Sequence, residues 1–132
     1  MEKFDNNIRI IDIPRINDPR GNLSFVQHPS VCPFEINRVY WLYDIPAESI
    51  RDGRALRNTD EMIIALAGSF DVILEDKQGA KCTFHLNRSY KGLYVPAGTW
   101  RSITNFVTNS VVLVLASRVY DENDYIRDYA EY

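Results

Sequence analysis

The segment RDGRALRNTDEMIIALAG, residues 51–68, joins a polar loop to an apolar strand and decides the fold of the chain. Residues 61–66 are mostly apolar and predict a strand, and Gly68 permits the turn that follows. Residues 70–75, FDVILE, predict the strand that returns alongside it. The segment therefore indicates antiparallel strands joined by tight turns.

Short β-type runs recur over most of the chain, with turn residues between them. The predicted strands are residues 9–13, 22–27, 37–43, 61–66, 70–75, 81–86, 100–106 and 110–117. Residues 44–59 predict a loop or a short helix, and residues 121–132 predict a C-terminal helix capped by Asp121. The pattern predicts an all-β sandwich or barrel.

The composition restricts the class of protein. A chain of 132 residues with 45% hydrophobic residues predicts one globular domain, residues 1–132. Its net charge of -3 and scattered basic residues do not indicate a nucleic-acid partner, and its apolar runs are too short for a membrane span. The N-terminal residues MEKFDNN have no apolar signal segment, and Cys32 and Cys82 predict buried free thiols. A cytoplasmic location is expected.

Two motifs within this β pattern resemble the two half-motifs of cupins, which are jelly-roll proteins. The residues that match are Glu61, Gly68, Pro96, Gly98 and Asn105. The three histidines of the half-motifs are replaced by Arg54, Leu56 and Arg101, and His28 and His85 lie elsewhere in the sequence. Guanidinium and leucine side chains have no lone pair for a metal ion. The sequence therefore predicts no metal and no other cofactor.

A narrower resemblance covers nearly the whole chain. The segments DPRGNL (18–23), RVYW (38–41), GLYV (92–95), LVLAS (113–117) and YDENDYIR (120–127) resemble the sugar-nucleotide 3,4-ketoisomerases, which convert TDP-4-keto-6-deoxyglucose to its 3-keto isomer. This resemblance implies a cupin jelly roll that binds a TDP-sugar inside the barrel without metal. It also implies a homodimer with exchanged N-terminal strands.

The chain departs from this family in the segment that carries the proton-transfer groups. Members carry R-G-x-H-A-H-K, whereas residues 51–57 read RDGRALR, so Arg54 and Leu56 replace both histidines. A guanidinium is a poor base at neutral pH, and each lost acid/base group costs about 10²–10⁴-fold in rate. The usual histidine chemistry is therefore predicted to be lost.

Several remaining residues are candidates for the site. The candidate catalytic residues are Glu61, Tyr40 and Tyr94, and the candidate ligand-binding residues are Arg20, Arg38, Arg51, Arg54, Trp100 and Arg101. Arginine binds anions with two parallel donors and stabilises oxyanions, and burial of Glu61 in an apolar cavity would make it a stronger base.

Each of these residues also has a structural interpretation. The alternative for the arginines of the 51–57 segment is salt bridges to Asp52, Asp60 and Glu61, and the alternative for Tyr94 and Trp100 is packing in the core. Two functions stay open at this point. One is an isomerase that uses groups other than histidine, and the other is a non-catalytic protein that binds a nucleotide sugar or partners an active enzyme.

Overall fold

The computed structural model describes residues 7–132, and within them every side chain except that of Asp52. The prediction about an N-terminal signal segment therefore falls largely outside the described residues. Among these residues, no helix has the length and apolar character that a membrane span requires.

Two five-stranded sheets form the body of the protein. The first has the order β1 (Arg9–Asp12), β9 (Lys91–Val95), β6 (Glu61–Ala67), β11 (Val111–Ala116), β4 (Arg38–Leu42). The second has the order β12 (Tyr125–Ile126), β5 (Arg51–Leu56), β10 (Trp100–Thr104), β7 (Phe70–Glu75), β8 (Lys81–Leu86). A separate hairpin pairs β2 (Arg15–Ile16) with β3 (Leu23–Ser24). Neighbouring strands are antiparallel, which confirms the predicted all-β architecture.

The main core lies between the two sheets. Its buried residues include Ile63 and Val114 from the first sheet, and Val72, Leu74 and Ile103 from the second. A second cluster lies on the outer face of the first sheet and is covered by residues of the segment 13–36. Residues 62–65 of strand β6 contribute to both clusters, which explains why the run MIIA is apolar on both faces of the sheet.

The segment 44–59 differs from the prediction of a loop or short helix. Residues 51–56 form strand β5, which pairs with β10 and β12. The strand was missed because its side chains include charged residues that line a cavity, so the alternation of apolar and polar residues is absent.

The C-terminal segment differs from the predicted continuous helix. It forms two short 3-10 turns, Glu122–Asp124 and Tyr129–Glu131, with strand β12 between them. Asp121 caps the first turn as predicted, because its carboxylate accepts a hydrogen bond from the Asn123 amide. Pairing of Tyr125 and Ile126 with β5 overrides the local helical signal. Both cysteines are free, Cys32 is buried as predicted, and Cys82 is partly exposed.

Candidate active site

A cavity of about 540 Å³ opens between the two sheets. Strand β4 supplies Arg38 and Tyr40 to its wall, and strands β5 and β10 supply Arg54 and Arg101. Among the described residues, those that line the cavity are Arg38, Tyr40, Leu42, Ile50, Arg51, Gly53, Arg54, Arg101, Ser102, Ile103, Tyr120, Tyr125 and Arg127.

Four residues form a hydrogen-bonded group in this wall, here called the Tyr40 cluster: Tyr40, Arg54, Glu61 and Arg101. The Tyr40 hydroxyl donates to Glu61 Oε2 at 2.6 Å and accepts from Arg54 Nη2 and Arg101 Nη2, each at 2.7 Å. Arg101 Nη2 also lies 3.1 Å from Glu61 Oε1. A phenol has one donor and two acceptor sites, so the hydroxyl is fully engaged.

Strand pairing brings these four residues together. Arg101 on β10 is the register partner of Arg54 on β5. In the facing sheet, Glu61 begins β6 and Tyr40 lies on β4, and both strands pair with β11. The sequence-predicted residues Tyr40, Arg54, Glu61 and Arg101 therefore meet although they are distant along the chain.

The electrostatics of the cluster keep Tyr40 protonated. Burial raises the pKa of the Tyr40 hydroxyl, and although Arg101 lowers it, the pKa remains above its usual value. Tyr40 is therefore a proton donor at neutral pH, and its proton points at Glu61.

Arg101 combines deep burial with an unused donor. Its side chain is 5% exposed. Burial lowers the pKa of its guanidinium, but the Glu61 carboxylate and the Tyr40 hydroxyl raise the pKa above its usual value. The guanidinium is thus a permanent cation. Within the part of the chain that the structure describes, its buried Nη1 atom has no hydrogen-bond partner, and neither has the buried Nε atom of Arg38.

Tyrosine rings and arginines surround the opening of the cavity. The guanidinium carbons of Arg54 and Arg127 lie 5.1 Å and 4.4 Å from the centroid of the Tyr125 ring. That of Arg38 lies 5.8 Å from the centroid of the Tyr120 ring. Arg127 also makes two hydrogen bonds to Glu122, at 3.0 Å and 2.8 Å. This opening is cationic and aromatic, as an anionic ligand with a flat ring requires.

Sequence reasoning did not assign Tyr120, Tyr125 and Arg127 to the site. They all lie in YDENDYIR, residues 120–127, which carried the family resemblance but was interpreted as helix. Once Tyr125 pairs with Leu56 of β5, the segment crosses the cavity opening. Only the long-range pairing reveals this role.

Glu61 and Arg51 differ in their access to the cavity. Arg51 lines the cavity. Glu61 is 2% exposed and lies behind Tyr40 and Arg101, so it reaches the cavity through them. Of the other carboxylates proposed as arginine partners, Asp60 accepts from the Ala97 amide at 2.8 Å, and the side chain of Asp52 lies outside the described atoms.

Three predicted site residues are not brought to the cavity within one chain. Arg20 is exposed and pairs with Asp18 in the turn between β2 and β3. Tyr94 belongs to the outer cluster, where its ring centroid lies 6.1 Å from that of Phe34. Strand alternation places Trp100 on the opposite face of β10 from Arg101. The structure therefore gives Tyr94 and Trp100 packing contacts.

The cavity residues do not fit a metal ion. Among the described residues, no group of three or more histidine, cysteine, aspartate or glutamate side chains is arranged to hold one. His28 approaches the carbonyl oxygen of Cys32 at 3.1 Å, and His85 approaches Asp71 at 2.6 Å. The cupin ligand positions carry Arg54, Leu56 and Arg101, which offer no lone pair.

Comparison with known proteins shows that the chain is similar to sugar isomerases. The family described as "FdtA: WxcM-like, C-terminal" matches residues 6–132. The chain is 36% identical over 121 residues to the TDP-4-oxo-6-deoxy-α-D-glucose-3,4-oxoisomerase of Aneurinibacillus thermoaerophilus, covering 92% of this chain and 86% of that protein.

The chain is also similar to solved structures of 3,4-ketoisomerases. The WlaRB TDP-quinovose 3,4-ketoisomerase of Campylobacter jejuni is 37% identical with a TM-score of 0.91, covering 96% of this chain and 97% of the other. A histidine-to-asparagine mutant of the 3,4-ketoisomerase QdtA of Thermoanaerobacterium thermosaccharolyticum, in complex with TDP-4-keto-6-deoxyglucose, is 31% identical with a TM-score of 0.92, covering 97% and 92%. The fold is thus the cupin-like jelly roll of these enzymes, and the chain belongs to the FdtA, WxcM-like C-terminal family, whose members include TDP-sugar 3,4-ketoisomerases.

Proposed function

We propose that this chain binds a TDP-linked 4-keto-6-deoxyhexose, with the sugar inside the cavity and the diphosphate at its opening. The observation that carries this proposal is the cavity wall, to which Arg38, Arg54 and Arg101 bring three guanidinium groups. Arginine binds anionic oxygens with two parallel donors. A ligand that carries phosphate and carbonyl oxygens therefore suits this cavity.

The charge of Arg101 suits a ketone or enediolate oxygen. Its Nη2 atom is held by Tyr40 and Glu61, so the guanidinium is oriented before ligand arrives. Arg38 brings a second guanidinium to the same wall. Preorganised donors of this kind stabilise negative charge on oxygen. Support for the ligand class comes from QdtA, which was solved with TDP-4-keto-6-deoxyglucose.

The opening suits the nucleotide part of such a ligand. Arg51, Arg54 and Arg127 provide positive charge, and Tyr120 and Tyr125 provide flat rings. Arginine binds phosphate oxygens with two donors, and aromatic rings stack on bases.

Isomerisation is a separate proposal from binding, because it requires a proton to leave one sugar carbon and reach the next. In the structure Arg54 donates to Tyr40, and Leu56 is buried. Neither residue is a base at neutral pH. We therefore propose that the histidine-based proton transfer implied by the family resemblance does not operate here.

One observation favours a residual isomerase activity. Tyr40, which lines the cavity, and Glu61, which lies behind it, form a proton donor and acceptor pair with their oxygens 2.6 Å apart. Arg101 and Arg54 are placed to stabilise an enediolate beside it. However, the Tyr40 hydroxyl must release one partner before it can contact a substrate, since all its hydrogen-bonding capacity is used.

The alternative is a non-catalytic protein that binds the nucleotide sugar or partners an active enzyme. The saturation of the Tyr40 hydroxyl and the replacement of both bases favour it. The two functions share the ligand and differ only in turnover.

The homodimer with exchanged N-terminal strands is also proposed. The β2–β3 hairpin belongs to neither five-stranded sheet, and it exposes Ile16 and Leu23. Exchange would place Arg20, at the tip of this hairpin, near the cavity of the partner subunit.

Calorimetric titration with TDP and with TDP-4-keto-6-deoxyglucose tests binding. We expect the sugar nucleotide to bind more tightly than TDP. The variant Arg101→Lys should weaken the binding of the sugar nucleotide about tenfold and change the affinity for TDP little. Lysine keeps the positive charge but lacks the paired donors of a guanidinium. The exposed Arg88→Lys variant is the matched control. Absence of binding to either ligand would refute the proposed ligand class.

Incubation in deuterated water separates the two functions. Isomerase activity predicts deuterium at the sugar carbon and appearance of the 3-keto product, both reduced at least about 100-fold in Tyr40→Phe. A protein that binds the sugar nucleotide but shows neither signal is the non-catalytic alternative.

A further inference from the structure

An aromatic cluster lies on the outer face of the second sheet, behind the cavity. Trp100 contacts Tyr129 with ring centroids 5.2 Å apart, in an edge-to-face arrangement, and Tyr132 with centroids 5.6 Å apart. The Tyr129 hydroxyl donates to Glu75 Oε2 at 2.6 Å. Trp100, Tyr129 and Tyr132 are here called the aromatic clamp.

The clamp presses on the backbone of β5. A methyl group placed on Gly53 would lie 2.3 Å from Trp100 Nε1, so the indole rests directly on the Gly53 backbone. Gly53 immediately precedes Arg54. The indole therefore supports, from behind, the strand segment that carries Arg54 into the cavity wall.

The end of β5 is tied to the same cluster through hydrogen bonds. The Gly98 amide donates to the Leu56 carbonyl at 2.7 Å. The Tyr132 hydroxyl lies 2.9 Å from the Gly98 carbonyl and 2.8 Å from the Glu75 carbonyl, so it can donate to either. The backbone amide of Trp100 approaches the same hydroxyl at 3.4 Å. One end of the 53–56 segment thus contacts the clamp directly, and the other end is linked to it through Gly98.

We propose that Tyr129 and Tyr132 are positioning residues that hold Arg54 against the Tyr40 hydroxyl. Arg54 is bound to this hydroxyl at 2.7 Å on the cavity side. On the other side, the same strand segment has the clamp as its support. Loss of the clamp rings would let residues 53–54 move outward, and the Arg54 contact would lengthen. The effect on ligand affinity rests on the proposed function, whereas the effect on β5 does not.

Hydrogen exchange of the free protein tests the proposal without any ligand. In Tyr132→Ala, amide exchange in residues 51–56 should accelerate at least about tenfold more than exchange in β11, which is central to the other sheet. Tyr132→Phe keeps the ring and loses the hydroxyl bonds, so an intermediate change is expected. Tyr43→Ala, at an exposed tyrosine, is the matched control. Equal acceleration in β5 and β11 would show a merely structural role and overturn the proposal.

A double-mutant cycle on TDP affinity provides the second readout. Tyr132→Ala should weaken TDP binding about tenfold when Arg54 is present, and less than about twofold in an Arg54→Ala background. An equal loss in both backgrounds would contradict an effect through Arg54. If the wild-type protein does not bind TDP, the proposed function fails, and the exchange experiment still decides the role of the clamp.

Discussion

At the scale of single residues, Arg101 has a structural role beside the binding role proposed for it. One nitrogen satisfies Glu61 and Tyr40, and the other is buried without a partner among the described residues. Such a buried ion pair does not by itself show a gain in stability, because desolvation offsets much of the attraction. Removal of one partner is different, since it leaves the other charge buried and unpaired.

The variant Arg101→Met should therefore lose about 3–5 kcal/mol of unfolding free energy. Glu61, which is almost fully buried, would lose its only salt bridge among the described residues. Urea denaturation gives the value, and Arg88→Met at an exposed arginine is expected to change the free energy by less than about 0.5 kcal/mol. A loss below about 1 kcal/mol for Arg101→Met would contradict this expectation. It would show that water or a rearranged side chain replaces Arg101 as the partner of the Glu61 carboxylate.

The raised pKa of Tyr40 leads us to expect a loss of folding stability at high pH. Burial is the main cause of its raised pKa. Because the folded pKa lies above the unfolded value of about 10, the stabilisation is complete below about pH 10 and declines as the pH rises through the folded value. Urea unfolding from about pH 8 to about pH 11 should show a steeper decline for the wild type than for Tyr40→Phe. Parallel profiles would contradict this assignment.

The sequence predicted members of the Tyr40 cluster but not their mutual contacts. Glu61 and Arg101 were found because they occupy motif positions, and Tyr40 because it lies in RVYW. The sequence does not indicate that one hydroxyl binds both Arg54 and Arg101, because those hydrogen bonds form only when the two sheets pack face to face. Likewise, the position of Tyr94 on the outer face depends on the register of β9.

At the scale of secondary-structure elements, β5 determines what the site can do. It pairs with β10 on one side and β12 on the other, and Arg54 lies between them. Its polar sequence concealed the strand, whereas the apolar β6 was predicted almost to its ends. Strands that line a polar cavity lose the periodicity on which sequence prediction relies.

Restoring the family motif in β5 tests the interpretation of this strand. The double variant Arg54→His, Leu56→His recreates H-A-H at the two positions where we propose that bases have been lost. We expect deuterium incorporation from deuterated water into TDP-4-keto-6-deoxyglucose to rise at least about 100-fold, since two acid/base groups return. Arg57→His, an exposed position just after the strand, is the control.

An unchanged exchange rate in a folded, ligand-binding double variant would contradict the view that β5 lost its bases. Because Leu56 is 4% exposed, the variant must first be shown to fold, by its circular dichroism and its thermal unfolding. The single variant Arg54→His then gives a second measurement that leaves this buried position unchanged.

At the scale of the whole molecule, turn residues and strand lengths predicted a β-sandwich or barrel, and the resemblance to the cupin motifs narrowed it to the jelly roll. The sites of chain reversal, such as the turns at Gly68 and Gly79, follow from residues that accept positive φ angles. The structure of residues 121–132 did not follow, because β12 forms only by pairing with β5. Contacts between distant segments therefore account for most of what sequence reasoning missed.

The β2–β3 hairpin carries the prediction for the assembly. A two-stranded hairpin is marginally stable alone in water, and this one exposes the side chains of Ile16 and Leu23, each by 56%. We expect a homodimer in solution, measured by light scattering after size-exclusion chromatography. Ile16→Arg with Leu23→Arg should shift it toward monomer, since burial of two charges opposes association.

The same variant connects assembly to the site. If Arg20 of the exchanged hairpin reaches the cavity of the partner subunit, monomerisation should weaken sugar-nucleotide binding as well as the dimer. Arg20→Ala should then reduce affinity without changing the mass in solution, because it removes a ligand contact and no apolar surface. Val107→Arg, on an exposed turn of the jelly roll, should change neither property. A wild-type monomer that binds the sugar nucleotide with full affinity would exclude this arrangement and leave Arg20 with only its contact to Asp18.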